Sequence, residues 1–475
     1  MTSTIERYHD AASRLDALID LTPTPTNSSR EAVRERAEYR MGRLRRFLAL
    51  LGDPQQGYPI VHVGGTSGKG STSTTIAAIL TAAGYRTGLH TSPYLQASSE
   101  KLQLDGQLIA PDLFAGLADE ILAAHDRWIA DGEAPLTYGE AWGALTWRFF
   151  AHERVDIAVV EVGAGGRFDL TNILTPVLSV ITSVGIDHTH TLGNTIEEIA
   201  WHKAGIIKPG LPALSAVPNP VARRVIAEEA ALQRAPLTQL DLDTTLDAVT
   251  TSPEGTSWRD ATTGQAFHMG MCGSFQARNG ATAVETARLL RARDVAIDDD
   301  AIARGLLRAR IPGRAELIHD TVPVLLDGAH NAEKVAALAL DVPALLPTRP
   351  GGRRIGVVGL LDAKQGDEML RSIVPVIDVL IATAPRVLAK DPKDAATLAD
   401  IARANGFAGE VIVEPDPPLA IEHALRLAHP GVDSILVTGS LYLVGNIRER
   451  WFHERDIVAM QSPWARITAG ATARA

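Results

Sequence analysis

Between Ile60 and Ala83 the chain passes from a short apolar run, Ile60-Val61-His62-Val63, through Gly64-Gly65-Thr66-Ser67-Gly68-Lys69-Gly70-Ser71 into a segment whose Ile76, Ile79, Leu80 and Ala83 share one helical face. A strand that gives way to a helix over so few residues belongs to a mainly parallel sheet covered by helices, because the helix must pack back onto the sheet it has just left. Glycines in such a turn let backbone N–H groups close in on a chain of phosphates. The following helix directs its positive dipole end at the same point. Lys69 adds a mobile charge, and Ser71 or Thr72 can reach a magnesium ion. The spacing departs from the standard G-x-x-x-x-G-K-[ST] loop, since Gly70 separates Lys69 from Ser71. A glycine-rich turn that merely opens a helix is the plainer reading. The strand before it and the apolar stripe after it favour a nucleoside triphosphate cradle.

The alternation continues along the chain. Helices are expected over 5–20 and 30–52, on either side of Thr22-Pro23-Thr24-Pro25. In the second, Leu44, Phe47, Leu48 and Leu51 form the apolar stripe, and Arg43, Arg45 and Arg46 fall outside it, on a solvated face. Strands are expected at 60–63, 86–90, 156–161 and 177–184, with helices at 71–83, 112–130, 139–152 and 195–207. Residues 238–272 are rich in Thr, Asp and Gly and read as a small antiparallel patch, followed by helices at 276–292 and 298–309. Ile311-Pro312-Gly313-Arg314 reads as a linker. Beyond it, strands at 322–326, 354–360, 378–383, 410–413 and 434–438 again alternate with helices. The expected organisation is two α/β units, 1–310 and 311–475, and 475 residues suit two cores better than one. Polar clusters follow the strands in both units, at the carboxyl ends where open α/β sheets bind ligands.

Composition removes several classes of function. A net charge of −10 argues against a general nucleic-acid binder, which needs a basic face. The single cysteine, Cys272, allows no internal disulfide and no Cys-based zinc site, and it fits a reducing cytoplasm. The stretch from Met1 to Arg7 carries early charges and no apolar core of a signal peptide, and no apolar run approaches the ~20 residues that span a bilayer. A soluble cytoplasmic protein without membrane partners is expected.

Other motifs follow the cradle. Glu161 ends a strand and leads into Val162-Gly163-Ala164-Gly165-Gly166-Arg167-Phe168-Asp169. A carboxylate at that place is a candidate magnesium ligand or a solvated strand end. Asp187-His188-Thr189-His190 lacks the spacing of a zinc pair, and His188 reads better as a ligand to a divalent ion beside ATP, with His190 structural. Asn194 or Thr195 caps the next helix, each with a glutamate three residues on. By itself Lys203, near that helix's end, is an ordinary cation at a C-terminus.

Taken in order, the segments Gly65 to Ser71, Thr91-Ser92-Pro93, Glu161 to Asn172, Asp187-His188-Thr189, Lys203-Ala204-Gly205-Ile206, Pro312-Gly313-Arg314, Asp327-Gly328-Ala329-His330-Asn331 and Thr438-Gly439-Ser440-Leu441-Tyr442 resemble the folylpolyglutamate synthase and dihydrofolate synthase branch of the Mur ligase superfamily. The resemblance runs from about Leu51 to Arg448 and absorbs Gly70, since the family's loop has this form. It implies a two-domain Mur-ligase-like architecture: an N-terminal P-loop ATPase domain with a mainly parallel sheet, and a smaller Rossmann-like glutamate-ligase domain. It implies ATP-dependent amide formation between a folate or dihydropteroate carboxylate and L-glutamate, in a monomer whose partners are those small molecules.

The resemblance also assigns roles. Gly65, Thr66, Ser67, Gly68, Lys69, Gly70 and Ser71, with Asn279, Arg314 and Asp327, match the ATP site. Ser71, Glu161, His188 and Lys203 match the ligands of two magnesium ions, Lys203 being carbamylated, which turns an ammonium into a carboxylate-like ligand. Lys69, Lys203 and His188 are the implied catalytic residues, and Thr91, Ser92, Pro93, Tyr94, His330 and Ser440 the substrate residues. Tyr94 stands where many members carry histidine, Trp201-His202 where Arg-Glu is common, Phe275 where histidine is common and Gly280 where alanine is. Competing readings are a Mur-type ligase of peptidoglycan precursors, a P-loop kinase or NTPase switch, and a nucleotide-binding regulator. The kinase or switch reading leaves the second α/β unit and Asp327 to Asn331 without a purpose, and the regulator reading leaves the candidate metal ligands without one.

Overall fold

Apolar β-branched runs form the strands, and their order in space sets the site. The structure, a computed structural model, describes residues 3–19, 30–186, 189–362, 366–387 and 390–466. The first sheet uses β1 (Ile60–Gly64), β2 (Thr87–His90), β3 (Gln103–Leu104), β4 (Gln107–Leu108), β5 (Ile157–Glu161), β6 (Leu178–Ile181), β7 (Ala213–Ser215) and β8 (Leu237–Gln239). Their order is β4-β3-β2-β5-β1-β6-β7-β8. From β2 to β8 neighbours run parallel, and β3 and β4 add an antiparallel edge. Every residue of β1, β5 and β6 is buried, as expected for parallel strands covered on both faces. Strand β1 lies between β5 and β6, with Val63 opposite Glu161 and Gly64 opposite Ile181. The glycine turn therefore leaves the sheet beside Glu161 on one side and the end of β6 on the other.

The antiparallel patch is present as β9 (Leu246–Ser252), β10 (Gly255–Asp260) and β11 (Ala266–Met269), with Trp258 stacked on Phe267 at 5.4 Å. The second large sheet holds β12 (Glu316–His319), β13 (Pro323–Leu326), β14 (Arg354–Val358), β15 (Val379–Ala382), β16 (Glu410–Val413) and β17 (Ser434–Thr438) in the order β12-β13-β17-β14-β15-β16. All its pairings are parallel except β12 with β13. The α/β class and the two-domain arrangement are as expected. Most elements lie within a few residues of their expected bounds. The short strands β3, β4, β7, β8 and β12 escaped the pattern, because two to four residues carry too little periodicity to read.

Arg43 departs from expectation. It is 5% exposed, donates from Nη2 to the carbonyls of Ala134 and Pro135 at 2.8 and 2.7 Å, and places Nε 3.4 Å from the buried Glu140. An apolar stripe marks only the face that meets apolar neighbours. Here a buried acid and two carbonyls draw the cation inward, while Arg45 and Arg46 stay exposed. Thr195, rather than Asn194, caps the Ile196–Ala204 helix, closing a capping box with Glu198. Among the described residues no helix is long and apolar enough to cross a membrane.

Candidate active site

The turn after β1 is held from outside as well as by its own glycines. Gly65 and Gly68 sit at φ +153° and +82°. A Cβ on Gly65 would collide with Thr182 Oγ1, and one on Gly68 with Asn279 Oδ1. The end of β6 grips the turn: Thr66 N–H donates to Ser183 O (3.0 Å), Ser67 N–H to Ser183 Oγ (2.8 Å), and Thr182 Oγ1 to Ser67 O (2.7 Å). Gly68 is the N-cap of the Lys69–Ala82 helix and has no side chain to occupy the helix's first N–H groups. Ser67 Oγ and Thr72 Oγ1 are buried and lack a hydrogen-bond partner among the described residues. Unspent donors beside a helix N-terminus fit a polyphosphate, whose oxygens accept without donating.

Beside the turn, Glu161 is the central acid. It is 4% exposed, accepts from Ser92 N–H at 3.0 Å through Oε2, and has Lys69 Nζ 4.0 Å from Oε1. Burial pushes its carboxyl above the usual range, and the charge of Lys69, the Ser92 N–H, Arg314 and Lys334 pull it back. A Cβ on Gly70 would stand 3.4 Å from Glu161 Oε2 and 3.3 Å from Ile311 Cδ1. A side chain there would be in ordinary contact with the acid and would crowd the tip of Ile311 on the linker.

The second unit brings cations to the same place. Arg314 and Lys334 both act on Glu161 and on Asp327. Asp327 is buried, which raises its carboxyl pKa, and its oxygens accept from Ala315 N–H (2.7 Å) and Ala329 N–H (2.8 Å), tying the linker to the end of β13. His330 turns Nδ1 to Gly328 O (2.8 Å) and Nε2 to Lys334 Nζ (3.2 Å). Ser440 caps the Leu441–Arg448 helix, accepting from Tyr442 N–H at 3.2 Å. Lys334 was missed from the sequence. Its signal was a lysine in the first turn of a helix capped by Asn331, directly after His330.

The remaining expected residues fall as follows. Thr91, Ser92, Pro93 and Tyr94 line one cavity with Gly70, Glu161 and Arg314. Tyr94 is pushed up to about 12 by burial. Lys203 is 2% exposed at the end of its helix, which lies against Gly166 of the loop after β5. Asn279 packs on Gly68 of the turn and donates to Gln276 Oε1 at 2.8 Å. Ser71 is buried in the first turn of the helix. Asp187 and His188 lie outside the described residues, as does the placement of the His190 side chain. Among the described residues no group of three or more His, Cys, Asp or Glu side chains is gathered as a metal site.

A second cavity, of about 810 Å³, opens on the other side of the Gly163–Asp169 loop. Its walls carry Phe168, Trp201, His202, Arg34 and Arg40. Two guanidinium groups approach the Trp201 ring, Arg34 at 4.5 Å and Arg167 at 4.2 Å from its centre. Burial lowers the His202 pKa to about 4, so this ring adds no charge at neutral pH.

The Mur ligase middle domain model matches residues 63–287, and the model of the Mur ligase glutamate ligase domain matches 313–441. A Bacillus subtilis protein named dihydrofolate synthase/folylpolyglutamate synthase is 34% identical over 420 residues, spanning 86% of this chain and 94% of that relative. This chain belongs to the folylpolyglutamate synthase/dihydrofolate synthase family of Mur ligases. As such it is an ATP-dependent ligase. Among solved structures, Mycobacterium tuberculosis folylpolyglutamate synthase complexed with ADP and AMPPCP is similar with a TM-score of 0.79 at 28% identity, over 93% of this chain and 98% of that one. E. coli FolC in complex with DHPP and ADP is similar with a TM-score of 0.73 at 27% identity, over 93% and 97%. Both sheets and the cleft between them thus belong to a family fold.

Proposed function

We propose that this ligase joins the carboxylate of a folate or dihydropteroate to the amino group of L-glutamate, using ATP and passing through an acyl phosphate. The observation that carries this reading is the meeting of Lys69 and Glu161 with Arg314 and Lys334 at the phosphate turn. The carboxylate attacks the γ-phosphate, ADP leaves, and the amine then attacks the acyl carbon and expels phosphate. The first step sets one anion against another, and the cations from both units offset that repulsion. The linker at Pro312-Gly313 brings the units together over the acyl phosphate and keeps water from it. In this reading residues 1–310 form the ATP-binding unit and 311–475 the glutamate-ligase unit, in a cytoplasmic monomer.

Asn279, Arg314 and the turn from Gly65 to Ser71 are the proposed ATP contacts, with Asp327 fixing the linker that carries Arg314. Thr91 to Tyr94, His330 and Ser440 are the proposed substrate side. Ser71 and Glu161, with His188 and Lys203, are the residues that would hold magnesium, which when bound lowers the charge on the phosphates. A buried carboxylate beside the first turn of the helix that carries Ser71 fits a hard cation. Lys203 enters that set as a carbamate, and burial to 2% exposure protects such a group from hydrolysis. The larger cavity, with its aromatic and guanidinium walls, suits the ring system of the folate.

The test is a product assay. Enzyme, Mg·ATP and glutamate are incubated with tetrahydrofolate in one series and dihydropteroate in another. A product one glutamate heavier with matching ADP release supports the reading and shows which acceptor is used. No such product with either acceptor rejects it. Lys203→Ala should regain part of its activity with short-chain carboxylates, and full activity without them would exclude the carbamate.

A further inference from the structure

The smaller cavity, about 330 Å³, starts at Glu161 and Ser92 and runs outward over the Lys69–Ala82 helix. Its floor is made of small side chains, Thr74, Ala77 and Ala78, which leave open space above the helix. Its wall is the end of the Asp299–Arg308 helix, which lies so close to the first helix that a Cβ on Gly305 would run into Ile79. That packing sets Arg308 and Arg310 along the opening. Both are exposed, and neither makes a hydrogen bond or ion pair with another described residue. Asp105, an acid on the same rim, already accepts from Thr87 N–H at 2.8 Å.

The far side is built from the end of the described chain, a stretch that no motif explains. Trp464 lies 5.9 Å from the Arg310 guanidinium and 5.2 Å from that of Arg448. Arg448 is fully buried, is paired with Glu316 at 2.9 Å, and donates from Nη2 to Pro463 O at 2.7 Å. A buried ion pair from the second unit thus fastens Pro463 and Trp464 against the cavity.

We infer that this cavity is a tail site, a cationic lane for the α-carboxylates of an oligo-γ-glutamyl chain whose reacting end lies at Glu161 and Lys69. The inference rests on the proposed reaction and names its substrate class. Each glutamate added leaves one more α-carboxylate on the product. A tail longer than the gap between the larger cavity and Glu161 must be stowed, and the cavity that opens from Glu161 past two guanidinium groups, which have no ion pair among the described residues, matches its charge. Arg308 and Arg310 are then specificity-determining residues for chain length, without a part in the chemistry.

The experiment compares wild type with Arg308→Gln, Arg310→Gln and the double variant. KM and kcat are measured for tetrahydrofolate carrying one glutamate and carrying three, together with KM for L-glutamate. The triglutamate KM should rise about threefold per arginine, the size expected for exposed ion pairs, and about tenfold in the double variant. Values of kcat, KM for the monoglutamate and KM for L-glutamate should stay unchanged, and Arg308→Lys, which keeps the charge, should leave the triglutamate KM near the wild-type value. Equal rises for both folates, a rise confined to L-glutamate, or no change would each overturn the tail site. An unchanged thermal midpoint in each variant excludes misfolding as the cause. If the wild type adds glutamate while the double variant is unaltered, only the tail site falls. If the wild type shows no folate- and glutamate-dependent ADP release, both readings fall together.

Discussion

The turn from Gly64 to Ser71 is held by neighbours that the sheet register delivers, Thr182, Ser183 and Gly185, whereas Glu161 is held among cations drawn from both units, Lys69, Arg314 and Lys334. In the turn, backbone geometry decides. Glycines at positive φ and hydrogen bonds to the next strand leave one arrangement. At Glu161 a balance decides, with burial raising the free energy of the charge and three cations and an N–H lowering it. The turn is therefore the stiff part of the site, and the acid is the part that responds to what binds.

That contrast can be broken most severely at Lys69. Replacing it with Ala should lower kcat/KM by about 10³-fold or more, as removal of a phosphate-facing cation does, with little change in thermal stability. A loss under tenfold would place the transferred phosphate elsewhere. Glu161→Gln keeps an acceptor for Ser92 N–H but loses the charge, and should cost about 10²-fold while raising the magnesium concentration needed for half-maximal rate. Because burial raises the Glu161 carboxyl, its ionised fraction is lost at a higher pH on acidification than for an exposed carboxylate. The wild-type rate should show that acid limb, and the variant should not.

Gly68→Ala attacks the stiff side. The strained φ and the collision with Asn279 should cost about 1–3 kcal/mol in denaturant unfolding. Asn279→Ala in the same chain should return part of it if the collision, and not φ alone, is responsible. Lys101 sharpens the lesson about compensated charge. Its ammonium is buried, donates to Tyr138 OH at 2.6 Å and sits 3.9 Å from the Trp142 ring centre, with Tyr94 and Asp16 nearby, yet no carboxylate forms a described ion pair with it. Burial lowers its pKa from 10.5 to about 7. Between those values the unfolded chain binds more protons, so stability rises with pH across that window, by about 1 kcal/mol per pH unit. Below about 7 both states are protonated and the burial penalty is fully present. Lys101→Met should flatten the slope and be more stable at neutral pH, as unfolding across buffers will show.

Much of this was legible in advance. The turn, Glu161 and Asp327 are each announced by a strand that ends in polar residues, and parallel strands deliver such ends to one edge of a sheet, while Arg314 is announced by the Pro312-Gly313 linker before it. What stayed hidden has a common cause. Arg43 looked solvated because its partner Glu140 lies far along the chain. Lys334 looked like an ordinary helix residue because its field acts across the cleft, on Glu161. Pro463 and Trp464 had no pattern at all, since they are placed by Arg448.

Local order thus settled the elements, the phosphate turn and the chemistry its residues can offer, because glycine at positive φ, helix dipoles and strand periodicity act over a few residues. Packing alone settled how strongly Glu161 holds its proton, which cations meet it, and that two arginines face an open lane beside it. Those quantities depend on burial and on charges brought from distant parts of the chain, and a string of residues carries neither.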